Sequence, residues 1–252
     1  MDVSPLTLAL LCFAAFAAGV IDAIAGGGGL ITVPALLGAG VPVQFLFGTN
    51  KGASVFGSGA ALFRFWREGS IDAKRAKILF PLGFIGAVAG AALVARLDPT
   101  LLRPLVLVLL VAAGITVTAI RPKPRAHTET VPGALWKTAI IALVIGAYDG
   151  FFGPGTGTFL IIAFVTVLHL TLSLATANAK VVNFASNLAS VLVFVWHGQV
   201  LWQLSVPMAV SQFVGGTIGA HLAVKGGDRL IRVVVLGVVL ALVAKLAYDL
   251  TQ

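Results

Sequence analysis

"GVIDAIAGGGGLITVP", residues 19–34, lies inside the first apolar stretch of a 252-residue chain. It sets a carboxylate, Asp22, and four consecutive glycines, Gly26 to Gly29, in otherwise oily sequence. Glycine is the weakest helix former after proline, and a buried carboxylate is costly without a partner. The stretch therefore reads as a helix broken at a defined point, and the rest of the chain has to supply the reason.

The surroundings of that stretch define its solvent. The chain is 59% hydrophobic and only 10% charged, with a mean hydropathy of +1.04, whereas a soluble domain carries about 25% charged residues. Apolar runs near the ~20 residues needed to span a bilayer recur at Leu6–Ala25, Ile78–Ala95, Leu101–Ile120, Leu135–Phe152, Ala175–Trp196, Val206–Val224 and Leu230–Leu250. This composition specifies a polytopic helical membrane protein. The first run has no basic n-region before it, only Asp2, so it reads as a retained helix and not a cleaved signal. The net charge of +8 resides in short loops at the ends of apolar runs, where membrane orientation requires it, which argues against nucleic acid as a partner. A single cysteine, Cys12, excludes an internal disulfide and a cysteine-rich metal site.

The opening stretch has a second copy. Gly19-Val-Ile-Asp22 matches Gly146-Ala-Tyr-Asp149, and Gly26 and Gly28 match Gly153 and Gly155. After a two-residue insertion, Lys51, Ser54 and Ser58 match Lys180, Asn183 and Asn187. Gly86-x-x-x-Gly90 then matches Gly215-x-x-x-Gly219, and Arg103 matches Arg232. The chain is thus read as a first transmembrane repeat (1–120), a proline-rich polar linker "RPKPRAHTETVPG" (121–133) and a second repeat (134–252). Loop charge speaks to their relative orientation. "RFWREGSIDAKRAK" carries Arg64, Arg67, Lys74, Arg75 and Lys77, while its counterpart "WHGQVLWQLS" (196–205) carries no Lys or Arg. Equivalent loops of opposite character belong on opposite sides. The linker cations Arg121, Lys123 and Arg125 then fall inside, and Arg96 and Arg103 outside. The expected fold is an all-α polytopic membrane protein of two tandem, inverted repeats. It has eight long transmembrane helices plus two short broken or re-entrant segments, Leu30–Phe47 and Thr158–Leu170. If the short segments only dip in and return, the count falls to eight and the halves become parallel.

Paired discontinuous segments at matching positions of two halves point to a transporter's midplane site. A helix starting at such a break aims unpaired N–H groups and a partial positive charge into a cavity, which selects Gly28, Gly29, Gly155 and Thr156. "FGTNKGASVFGS" (47–58) and "TANAKVVNFASN" (176–187) add Lys51 and Lys180, with Thr49, Asn50 and Ser54 in one copy and Asn178, Asn183 and Asn187 in the other. On a helix, 51, 54 and 58 share one face, as do 180, 183 and 187. A basic residue at mid-membrane costs about 2.5 kcal/mol or more, so it pairs or faces a cavity. Two cations, two polar stripes and two helix N-termini suit a small oxyanion. Asp22 and Asp149 are expected either to neutralise the lysines or to carry a proton, because apolar surroundings favour a protonated carboxyl. The glycine-x-x-x-glycine pairs read as helix-packing faces.

At "GVIDAIAGGGGLITVPALL" followed by "GTNKGASVFGSGAALFRF", echoed by "GAYDGFFGPGTGTFLI" and "ATANAKVVNFASNLAS", the chain resembles the sulfite exporter TauE/SafE family of bacterial membrane permeases. The resemblance implies transport of a small sulfur-containing anion, such as sulfite, a sulfonate or sulfoacetate, across the bacterial inner membrane. The second half lacks the four-glycine run and has Ala-Asn-Ala-Lys where the first has Gly-Thr-Asn-Lys, so equal roles for the halves do not follow. The expected partners are this anion and the lipid bilayer, with a homodimer left open, and neither cofactor nor metal is expected. No P-loop, nucleophile motif or zinc motif appears, so enzyme chemistry is not expected. A thiosulfate- or sulfate-type uptake permease and an anion channel are the alternatives.

Overall fold

Side-chain caps fix four of the described helix starts. Ser4 accepts the Thr7 N–H at 3.2 Å ahead of Pro5. Asp72 accepts from Lys74 and Arg75, and Thr171 from Leu174, so each satisfies donors that a helix start leaves open. Asp98 does the same outside the spans: the Thr100 hydroxyl and N–H hold its carboxyl below the ordinary carboxylate value.

The computed structural model describes residues 3–119 and 133–249. In these the elements are α1 (Pro5–Ala25), α2 (Gly29–Gly38), α3 (Val43–Arg67), α4 (Ala73–Val94), α5 (Pro99–Ala119), α6 (Ala134–Phe151), α7 (Thr156–Val167), α8 (Leu172–Trp196) and α9 (Trp202–Asp249). Helix α9 breaks at Gly227, whose φ of 53° and ψ of −154° are not helical. Of the described helices, α1, α4, α6 and α8 are each long and apolar enough to cross a membrane. The expected linker, with its three cations, lies outside the described residues except for Gly133, which precedes α6.

Burial is distributed as a lipid solvent demands. Leu6, Phe13, Phe63 and Val210 are largely exposed, while Asn50, Lys51, Asn178 and Lys180 are buried. Trp66, Trp136, Trp196 and Trp202 are exposed near helix ends, as interfacial anchors are. This is a multi-pass membrane protein.

Two elements differ from the sequence expectation. The segment expected as one interrupted unit, Leu30–Phe47, is the short α2, a turn, and then the start of α3. Gly40, in the left-handed region with a φ of 76°, and Pro42, which suits a helix start, set that boundary. Lys51 consequently sits two turns inside α3, and Lys180 two turns inside α8. Moreover, α1 and α2 are two arms of one hairpin. Gly28 lies against Ala18, and Leu30, Val33 and Leu36 share an apolar cluster with Leu11 and Ala15. The counterpart expected at Thr158–Leu170 is α7, Thr156–Val167, which forms a second hairpin with α6, the Tyr148 and Phe159 rings 5.4 Å apart.

The hairpin tips meet at the centre. Gly26 and Gly157 touch backbone to backbone, so a Cβ on either would overlap the other. The Thr158 hydroxyl donates to the Ala25 and Gly26 carbonyls at 3.1 and 3.0 Å, satisfying two groups that the end of α1 leaves without partners.

Around this junction the helices pack reciprocally. Helix α1 runs alongside α9, with Gly215 against Phe16 and Gly219 against Val20. Helix α6 runs alongside α4, with Gly86 against Leu143 and Gly90 against Ala147. Helices α3 and α8 run antiparallel: Gly48 meets Gln199, Ser58 bonds Asn187, and Gly59 meets Phe184. Two apolar clusters form, one holding Leu36, Val41 and Leu46, the other their repeat equivalents Val165, Leu170 and Ala175.

A side chain at Gly90 or Gly219 would press into a helix backbone. Gly90→Val and Gly219→Val should each destabilise the protein by about 1–3 kcal/mol, read as a lower thermal-unfolding midpoint in detergent. Gly38→Ala, with no atom within 4 Å of the new Cβ, should leave the midpoint unchanged.

Candidate functional site

Each buried lysine finds its carboxylate on the other half of the chain. Lys51 Nζ lies 2.7 Å from Asp149 Oδ1 and 2.9 Å from Asn187 Oδ1, with the Lys51 and Asp149 side chains 2% and 5% exposed. Asp149 Oδ1 also accepts the Thr156 hydroxyl at 3.0 Å, and its other oxygen accepts Ser186 Oγ. Lys180 Nζ lies 3.2 Å from Asp22 Oδ2 and also donates to the Asp22 backbone carbonyl. Asp22 Oδ1 accepts the Gly27 and Gly28 N–H groups at 3.2 and 3.4 Å, at the start of α2. Removing one partner of such a pair leaves an uncompensated charge in a medium that cannot solvate it.

The two pairs flank a cavity of about 30 Å³, room for about two waters. Of the residues singled out from the sequence, Asp22, Gly28, Gly29, Asn50, Lys51, Ser54, Asp149, Thr156, Asn183 and Asn187 line it. Thr49, Gly155, Asn178 and Lys180 do not. The Thr49 hydroxyl accepts the Leu201 N–H at 3.0 Å, Gly155 precedes α7 with a φ of 85°, and Asn178 donates to the Leu174 carbonyl of its own helix. Lys180 reaches the cavity only through Asp22. The polar stripe on α3 therefore faces the cavity through Lys51, Ser54 and Ser58, while the stripe on α8 contributes Asn183 and Asn187.

The structure adds Gln212, from α9, to the wall. It is buried, and its Oε1 and the Asn183 Oδ1 have no hydrogen-bond partner. Ser186, on Asp149, was legible in principle, since it is three residues past Asn183 and shares its face. Gln212 stands out in the sequence as a polar residue in an apolar helix, which a polar helix–helix contact would also explain; its place in the wall depends on how closely Gly19 and Gly57 let α9 approach.

The wall thus offers an ammonium, hydroxyls, amides and helix N-terminal N–H groups, framed by two carboxylates. No cluster of metal-ligating side chains occurs among the described residues. A polar cavity between two broken hairpins, inside a lipid-facing bundle, fits a membrane transport protein. The comparisons give its family: residues 11–246 match the sulfite exporter TauE/SafE family, and the chain belongs to it. The chain is similar to the probable membrane transporter protein YfcA of Escherichia coli K12, with 37% identity over 98% of this chain and 92% of that protein. It is also similar to the probable membrane transporter protein ORF9 of a Sinorhizobium species (38% identity, 97% and 94%) and to a probable membrane transporter protein of Haemophilus influenzae (35%, 99% and 98%). No solved structure matches.

Asp149→Leu should cost about 3–5 kcal/mol by stranding the Lys51 charge. The double variant Asp149→Leu with Lys51→Met should recover most of that loss. Thermal unfolding of purified protein measures both, and a double variant as unstable as the single would sink the pairing.

Proposed function

We propose that the protein is a secondary transporter of a small sulfur-containing oxyanion, such as sulfite, a sulfonate or sulfoacetate, in the bacterial inner membrane. The observation that carries this reading is the cavity at the meeting point of both halves, where Lys51 stands among Asn50, Ser54 and Asn187. An oxyanion has only acceptor oxygens, and this wall supplies charged and neutral donors to several of them at once. The TauE/SafE family name supports sulfur chemistry. A pyramidal anion with three oxygens needs more room than two waters, so binding requires the halves to part at the cavity, and rocking of one half on the other supplies that.

The inverted arrangement belongs to the same proposal, with the repeats at 1–120 and 134–252. Helices that are equivalent by repeat, α3 and α8, run antiparallel, and equivalent apolar residues lie in different clusters. Each half is then a hairpin that enters and returns plus three crossings. Three is odd, and the next half starts from the opposite face. This differs from the sequence count, in which a short segment that dips and returns made the halves parallel: α1 returns with α2, so the pair adds no crossing. Exposed cations favour the end with Arg67, Lys74 and Lys77 as cytoplasmic.

Two experiments test these readings. In proteoliposomes, labelled sulfite should accumulate against unlabelled sulfite on the far side, competed by one or more of sulfate, thiosulfate, taurine and sulfoacetate. Lys51→Ala should reduce that counterflow at least tenfold. Flux without counterflow would make the protein a channel, and no flux of any of these anions would remove the sulfur-anion reading. In a Cys12→Ser background, Arg67→Cys and Trp196→Cys occupy equivalent repeat positions at helix ends. A membrane-impermeant thiol reagent should label them from opposite faces of the membrane, and labelling from one face would overturn the inversion.

A further inference from the structure

Resting on the reading of this cavity as the anion seat, the charge balance raises a difficulty. Lys51, Lys180, Asp22 and Asp149 sum to zero, and each ammonium already has a carboxylate. An arriving anion meets a neutral site in which added charge is expensive. The two carboxylates are not equivalent. Asp149 is nearly fully buried and holds Lys51, Thr156 and Ser186. Asp22 is 25% exposed, lines the cavity, and holds its partners at 3.2–3.4 Å. Those partners, two N–H groups at the start of α2 and an ammonium, are the groups an oxyanion would seek.

We propose that the Asp22 carboxylate is a tethered anion occupying the substrate's own donors, and that protonating it frees them, so that one proton accompanies each bound anion. The proton adds to a carboxylate oxygen of Asp22, offsets one negative charge of the incoming anion, and returns to water when the anion leaves and the carboxylate reoccupies its seat. The Asn183 and Gln212 amide oxygens, buried on the same cavity with no donor, give the new O–H an acceptor. Among the elements packed on α1, α8 faces Asp22 with Lys180 and α3 brings Lys51 to the cavity. Helix α9 contributes the uncharged Gln212 to the cavity and carries the half-buried His221 two turns beyond it. Helices α2 and α7 carry no titratable residue, and Asp149 on α6 lines the same cavity.

The test is binding of radiolabelled sulfoacetate to the purified full-length protein from about pH 6 to pH 8, where this anion keeps a constant charge. Proton uptake is counted by calorimetry in buffers of different ionisation enthalpy. The wild type should take up one proton per anion and lose affinity about tenfold per pH unit once Asp22 ionises. Asp22→Asn should abolish both effects and bind at least tenfold more tightly than the wild type at the alkaline end, a gain that misfolding cannot produce. Asp22→Glu should restore the pH slope. If the wild type binds and Asp22→Asn keeps the slope, or the slope vanishes in Asp149→Asn instead, the tethered-anion role is wrong and the cavity assignment stands. If the wild type binds neither sulfoacetate, sulfite nor sulfate, the cavity assignment fails and this inference with it.

Discussion

A lysine ammonium inside an apolar bundle must find a carboxylate, and here each finds it across the molecular centre. Lys51 of the first half meets Asp149 of the second, and Lys180 of the second meets Asp22 of the first. Neither half can bury its own lysine without the other, so the ion pairs tie the halves together at the cavity. Ion pairs of this kind contribute little net stability against an apolar replacement. Their presence is better explained by function than by folding, because they keep charge beside the polar cavity.

The broken helices follow from the same constraint. Irregular backbone deep in a lipid-facing bundle survives only where protein or water satisfies it. The Gly26–Gly157 contact brings the two tips so close that each covers the other, and Thr158 takes up two carbonyls freed at the end of α1. Side chains larger than glycine at this contact would hold the tips apart. The cavity lies beside this contact, walled by glycines of the tips and by the α3 and α8 stripes.

The two halves use corresponding parts differently. The α3 stripe keeps its lysine in the cavity wall, while the equivalent Lys180 is screened by Asp22. The carboxylates diverge in the same sense, with Asp149 saturated by hydroxyls and Asp22 bonded at longer distances to the start of α2. The missing four-glycine run in the second half corresponds to this difference. In the first half Gly27 and Gly28 donate N–H groups to Asp22, whereas in the second the Thr156 side chain does the bonding to Asp149.

The sequence by itself determined the solvent, the helical class, the family and the identity of most cavity-lining groups. Composition and the period of a helix depend on nothing but the chain, so Lys51, Ser54, Asn183 and Asn187 were legible. The packing role of Gly86, Gly90, Gly215 and Gly219 was legible too, because spacing of four places small residues on one helix face whatever the partner. Only the tertiary structure decided which carboxylate serves which lysine, that Lys180 stands behind Asp22, that Gln212 joins the wall, and that α1 and α2 form one hairpin. Those depend on which backbones approach closely enough to touch; for the ion pairs and Gln212 that is set by contacts between residues 98 to 193 positions apart (Lys51 with Asp149, Gly19 with Gln212), which no local pattern encodes.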